Sequence, residues 1–107
     1  MHLLTTEIRQ KLPALYATEG IENPIVFCKF FLPMTNFSWY PIEFDGIDTF
    51  YGYVIGQFSE LGYFSLSELE SVRGPFHLSV SPDLFFEPVP LSKVKGKTNQ
   101  KEIDASI

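Results

Sequence analysis

Three carboxylates, Glu43, Asp45 and Asp48, fall within six residues in NFSWYPIEFDGIDTFYGYVIG (36–56), a stretch that also carries seven aromatic side chains. Glu43 and Asp45 are two apart, which on a strand places them on one face, and Asp48 follows across an Asp45-Gly46 turn signal. Oxygen ligands gathered in this way suit Mg²⁺ or Mn²⁺. A metal-assisted hydrolase or nuclease built on the three is therefore one expectation. The spacing fits no defined loop, since an EF-hand needs acids at alternate positions and a closing Glu at the twelfth. Two other readings stand beside it. The acids could form a partner-contact surface, or Asp45 and Asp48 could shape the turn through Asx-type hydrogen bonds while Glu43 sits in water.

Other reactive side chains are few. His77 is the one plausible acid–base histidine, because His2 belongs to a terminus expected to be mobile. GPFHLSVSPD (74–83) adds Ser79, Ser81 and Asp83, without the glycine-framed turn that exposes a nucleophilic serine. Cys28 alternates inward on a strand and reads as a buried, inert thiol. Four-ligand zinc lacks ligands, and neither a P-loop nor GxGxxG occurs, so no cofactor is expected. Arg73 is placed to pair with Glu70 or Glu68 across a helical turn.

These groups depend on the elements that carry them. Leu4, Ile8, Leu12 and Leu15 recur at helical spacing, with Thr5 or Thr6 as cap and Glu7 in the first turn. Pro13 should end that helix near Leu12, leaving one further turn through Tyr16. PIVFCKFFL (24–32), Ser38 to Phe44, Thr49 to Phe58 and LGYFSL (61–66) read as strands, and Gly52 and Gly56 suggest a bulge or close backbone approach. Ser65 with Glu68, or Ser67 with Glu70, opens a second helix, SLSELESV. SPDLFFEPVPL (81–91) has too many prolines for a central strand and reads as an edge strand or an arm laid over the sheet. The predicted architecture is α+β: a small antiparallel sheet of three to five strands, with an N-terminal helix on one face and a short second helix. Residues 1–92 form the single domain and 93–107 a flexible, lysine-containing tail.

Strict alternation puts Val26, Phe30, Tyr40, Ile42, Phe44 and Val54 on the helix-covered face. Phe27, Phe31, Trp39, Tyr51 and Tyr53 then share the other with Lys29 and Glu43. Exposed aromatics beside charges suit a protein-binding surface. The alternative is a second core in which Phe85 and Phe86 cover that face.

Composition narrows the functional classes. The chain is 107 residues, 45% hydrophobic and 16% aromatic, with net charge −5. Through Ser92 there are four basic residues against eleven acidic, or −7; from Lys93 on, four against two, or +2. An acidic body opposes direct nucleic-acid binding and anionic membrane surfaces. One cysteine suits a reducing cytoplasm, no apolar run approaches a membrane span, and the N-terminus lacks a secretory pattern.

LLTTEIRQKLPALYATEG (3–20), EFDGIDTFYGYV (43–54) and ELGYFSLSELESVRGP (60–75) together resemble the bacterial and phage family catalogued as domain of unknown function 2958, over about residues 3–92. The resemblance implies a small cytoplasmic product of phages, plasmids or other mobile elements. It supplies no catalytic residues. The expected function is that of a non-catalytic, acidic interaction protein with a protein partner. Its contact residues are expected to be Trp39, Glu43, Asp45, Asp48, Tyr51, Tyr53 and Glu60.

Overall fold

A computed structural model describes residues 3–95; His2 and most of the expected tail, from residue 96, lie outside the described residues. Helix α1 (Thr6–Lys11) starts where Thr5 caps it, its hydroxyl accepting the Ile8 N–H at 3.2 Å. It stops at Leu12, ahead of Pro13. Strands follow at β1 (Ile25–Val26), β2 (Phe30–Phe31), β3 (Ser38–Phe44), β4 (Thr49–Ile55) and β5 (Ser59–Ser65). Helix α2 (Leu66–Ser71) is next, then a 3₁₀ turn (Pro75–His77), β6 (Ser81–Pro82) and β7 (Val89–Pro90). One antiparallel sheet runs β5-β4-β3-β2-β6, and a second, two-stranded sheet pairs β1 with β7. The fold is α+β.

The run 24–32 is two strands instead of one, and Pro41 is the reason. Phe30 pairs with Trp39, so the next rung would fall at Pro41, which has no N–H to donate. The ladder lapses there, and the Phe27 N–H reaches the Pro41 carbonyl at 3.2 Å instead. The proline-rich segment 81–91 borders this broken strand as an edge. Ser81 and Pro82 pair with β2, the Asp83 N–H donates to the Lys29 carbonyl, and Val89 and Pro90 pair with β1.

A bulge at Ile42 changes which side chains share a face. Pro41 faces Gly52 and Glu43 faces Tyr51, so Ile42 is an extra residue and the alternation inverts after it. Gly52 permits this approach, because a Cβ there would meet the Tyr40 carbonyl oxygen at 2.2 Å. The alternating assignment is corrected accordingly. Trp39 joins Phe30, Phe44, Phe50 and Val80 in a first cluster, with Val54 packed against it. Val26, Tyr40, Ile42 and Tyr53 form a second cluster on the opposite face. Val26, Phe30, Ile42 and Phe44 are all buried, as expected, but they divide between the two cores.

The N-terminal segment meets the first cluster mainly through Leu3 and Leu4, which are buried, with Ile8 and Leu12 half-buried against it. The second cluster is closed by Phe86, Val89, Leu91 and Val94. Phe85, expected beside Phe86 in this cover, points outward at 94% exposure. The chain is helical at 91–95 and Val94 is buried, so no break marks the boundary expected after Ser92.

Cys28 sits in the first cluster, where burial pushes its thiol up to about 12. On the order of one molecule in ten thousand then carries the reactive thiolate at pH 8. Iodoacetamide is expected to leave the native protein unmodified for hours and to alkylate it promptly in urea. Rapid labelling of the native chain would contradict this burial.

Candidate functional site

The three carboxylates part company. Asp45 Oδ1 accepts the N–H groups of Ile47, Asp48 and Thr49 at 2.8, 2.8 and 3.0 Å, closing a turn in which Gly46 takes φ 87°. Asp48 holds the start of α2: its Oδ2 accepts the Ser65 hydroxyl at 2.5 Å and its Oδ1 the Ser67 N–H at 2.8 Å. Ser65 in turn caps that helix by accepting the Glu68 N–H, as the capping box anticipates. These bonds hold both aspartates below their ordinary pKa: the Ile47 and Asp48 amides for Asp45, Ser65 and Ser67 for Asp48.

Glu43 is the surprise. Expected in water, it is 3% exposed. Its Oε1 accepts the Tyr16 N–H at 2.8 Å; its Oε2 accepts the Thr18 N–H at 2.9 Å and the Thr18 hydroxyl. Burial pushes its pKa upward, but the Thr18 hydroxyl and the two amides outweigh it and hold the carboxylate below its usual range. With each acid bound to a separate segment, no group of three or more Asp, Glu, His or Cys is arranged to hold a metal among the described residues.

Trp39 (9% exposed), Tyr53 (7%) and Glu43 are buried, so the seven expected contact residues do not form one exposed surface. Asp45 and Glu60 are exposed; Asp48 and Tyr51 are half-buried. His77 is exposed in a tight turn where it and Phe76 both adopt positive φ. The neighbouring polar groups have local tasks: the Ser81 hydroxyl donates to the Ser79 carbonyl, and Asp83 Oδ1 accepts the Phe85 N–H. Arg73 does not reach a glutamate carboxylate. It donates to the Glu70 and Val72 carbonyls at 2.8 Å each, satisfying the C-terminal end of α2.

A cleft of about 330 Å³ opens beside the second face, over Glu43. Glu43, Tyr51 and Tyr63 form one cross-strand row over β3, β4 and β5, and the Tyr51 and Tyr63 rings lie 5.2 Å apart. Leu61 and Ile21 add apolar wall, Glu19 and Glu22 line it with charge, and Lys95 contributes the one cation among the described residues. Tyr16 enters through its bond to Glu43, with φ 70°, a strained backbone for a bulky residue. Partial desolvation, then the Tyr16 hydroxyl and the Glu43 charge, raise the Tyr63 pKa.

Sequence reasoning found Tyr51 but missed Tyr16, Leu61 and Tyr63. Leu61 and Tyr63 were within reach, because a β4–β5 hairpin in register sets them opposite Tyr53 and Tyr51. Tyr16 carries no local signal; only the fold brings it to Glu43. No described helix is long and apolar enough to cross a membrane.

No curated protein and no solved structure matches the chain. A family model described as protein of unknown function (DUF2958) matches residues 3–102, past Ser92, where the resemblance in the sequence ended. With nearly its whole length matched, this chain belongs to the DUF2958 family.

Proposed function

We propose that this protein is a non-catalytic, acidic interaction module that binds a basic protein partner through the tyrosine-lined cleft and its rim. The observation that carries the reading is the cleft wall: exposed Tyr16, Tyr63, Leu61 and Ile21 stand beside Glu19 and Glu22 on a body of charge −7 through Ser92. Tyrosines supply anchoring area at low entropy cost, and surrounding acids steer a positively charged partner into contact. The chemistry suits a nucleic-acid-handling or defence protein, whose phosphate-binding channel an acidic domain can occupy. A phage- or plasmid-borne role in a bacterial cytoplasm accords with this reading.

Capture from the natural host, with and without nuclease, followed by kinetics with the purified partner, tests it. Replacing Glu19 and Glu22 together by Lys is expected to slow association about tenfold at low salt, with a smaller effect on dissociation. Raising the salt should erase most of that difference. Capture of nucleic acid alone, or a partner that associates with parent and variant at one rate, contradicts the proposal.

A further inference from the structure

We propose that the cleft over Glu43 recognises an arginine side chain, held against the Tyr16, Tyr51 and Tyr63 rings with carboxylates behind and around it. The inference deepens the reading above, and rests on it for the identity of the arginine as a residue of the partner protein.

Tyrosine faces attract cations within about 6 Å of the ring centroid. Among the described residues the protein's own cations lie over an aromatic ring three times, twice on tyrosine and once on phenylalanine. Arg9 lies 5.1 Å over Phe44, Lys29 5.7 Å over Tyr40, and Lys95 5.8 Å over Tyr53. Lys95 also lines the cleft, although the Tyr53 ring it lies over belongs to the second cluster beside it. The Tyr51–Tyr63 pair has no such cation among the described residues, although its surroundings are the more acidic. Glu19, Glu22 and Glu43 stand there against Lys95 alone.

Glu43 contributes field more than bonding, because both its oxygens already accept hydrogen bonds from the Tyr16–Thr18 turn. It also fixes Tyr16 in its strained backbone, so that side of the site is preorganised. An anion would meet three carboxylates, and an apolar group would strip water from Glu19 and Glu22 without replacing its hydrogen bonds. Among cations, a guanidinium fits better than an ammonium. It is planar, weakly hydrated, and able to stack on a tyrosine while its fork donates to a rim carboxylate. The Tyr51 and Tyr63 rings already touch each other, with centroids 5.2 Å apart, so such a plane would stack on the open face of Tyr63, which is 58% exposed.

The probe is N-acetyl-arginine N-methylamide, with its citrulline counterpart as the uncharged isostere, titrated into the ¹⁵N-labelled full chain. Saturable shifts are expected at the Tyr16, Thr18 and Tyr63 amides, with the citrulline compound about tenfold weaker. Tyr63→Leu should weaken the arginine probe about tenfold while Tyr63→Phe, which keeps the ring face, changes it about twofold or less. Tyr63 is 58% exposed, and retention of the amide spectrum shows that either variant folds. Phe85→Ala, outside the cleft, should bind as the parent does. Equal binding of the citrulline compound, indifference to Tyr63→Leu, or no saturable shift overturns the assignment. Arginine binding without a basic partner would support the site and remove the partner reading. A basic partner that ignores Tyr63→Leu but is slowed by the Glu19 and Glu22 replacements would remove the arginine site and leave only the acidic rim of the reading above.

Discussion

Phe50→Ala is expected to cost about 3–5 kcal/mol, the range for a fully buried aromatic, and so to take a large share of the stability of a domain this size. Phe50 has no exposed surface. Its ring stacks on Phe44 at 4.5 Å and Phe64 at 5.3 Å, and meets Phe30 edge-on at 5.8 Å. Phe44, Phe50 and Phe64 are one cross-strand row on β3, β4 and β5, so the ladder pins their backbones. The walls cannot close over the missing ring, and the cavity term therefore adds fully to the lost burial. Urea unfolding measures it: the midpoint should fall with little change in slope. Phe58→Ala, at 80% exposure, is the control and should stay within about 0.5 kcal/mol of the parent. A Phe50→Ala loss below about 1 kcal/mol would mean the row is not packed as described.

Glu43→Ala is the second large effect, expected at about 2–4 kcal/mol, because it strands the Tyr16 and Thr18 N–H groups and the Thr18 hydroxyl without an acceptor. The same carboxylate gives the protein a pH dependence of known sign. Its pKa lies below the ordinary 4.5 in the fold and returns there on unfolding, so the unfolded chain binds its proton more readily. The stabilisation is complete above about pH 4.5 and drains away as the pH falls through the lower native value. Asp45 and Asp48, shifted the same way, add to the acid slope. Glu43→Gln should be less stable than the parent at pH 7, with the gap narrowing below pH 4.5. A gap that stays constant down to acid unfolding would assign the effect to shape instead of charge.

Much of the local structure could be read from the chain, since its causes are local. Alternation marked β3, the Asp45-Gly46 pair marked the turn, and Ser65 marked the start of α2. The division of side chains between faces could not, because a period of two assumes an unbroken ladder. Pro41 and Ile42 break it in successive positions; of the two glycines that suggested a bulge or close approach, Gly52 lies opposite this break and Gly56 does not. Asp45 was correctly readable as a turn residue, since its partners lie two to four residues away. Glu43 was not, as its partners lie 25 and 27 residues back in a turn whose position depends on the tertiary fold. That one misplacement moved the candidate site from an exposed acidic edge to a cleft with a buried carboxylate at its base.

The unequal sorting of aromatic types between the two faces has an optical consequence. The one tryptophan, Trp39, lies in the first cluster, its ring stacked 6.3 Å from Phe37. All five tyrosines lie on the other side: Tyr40 and Tyr53 in the second cluster, and Tyr16, Tyr51 and Tyr63 around the cleft. Indole emission therefore follows the first core, while phenol absorbance and ring resonances follow the second core and the cleft. A ligand in the cleft should perturb the phenols and leave the indole spectrum in place. Global unfolding should move both together.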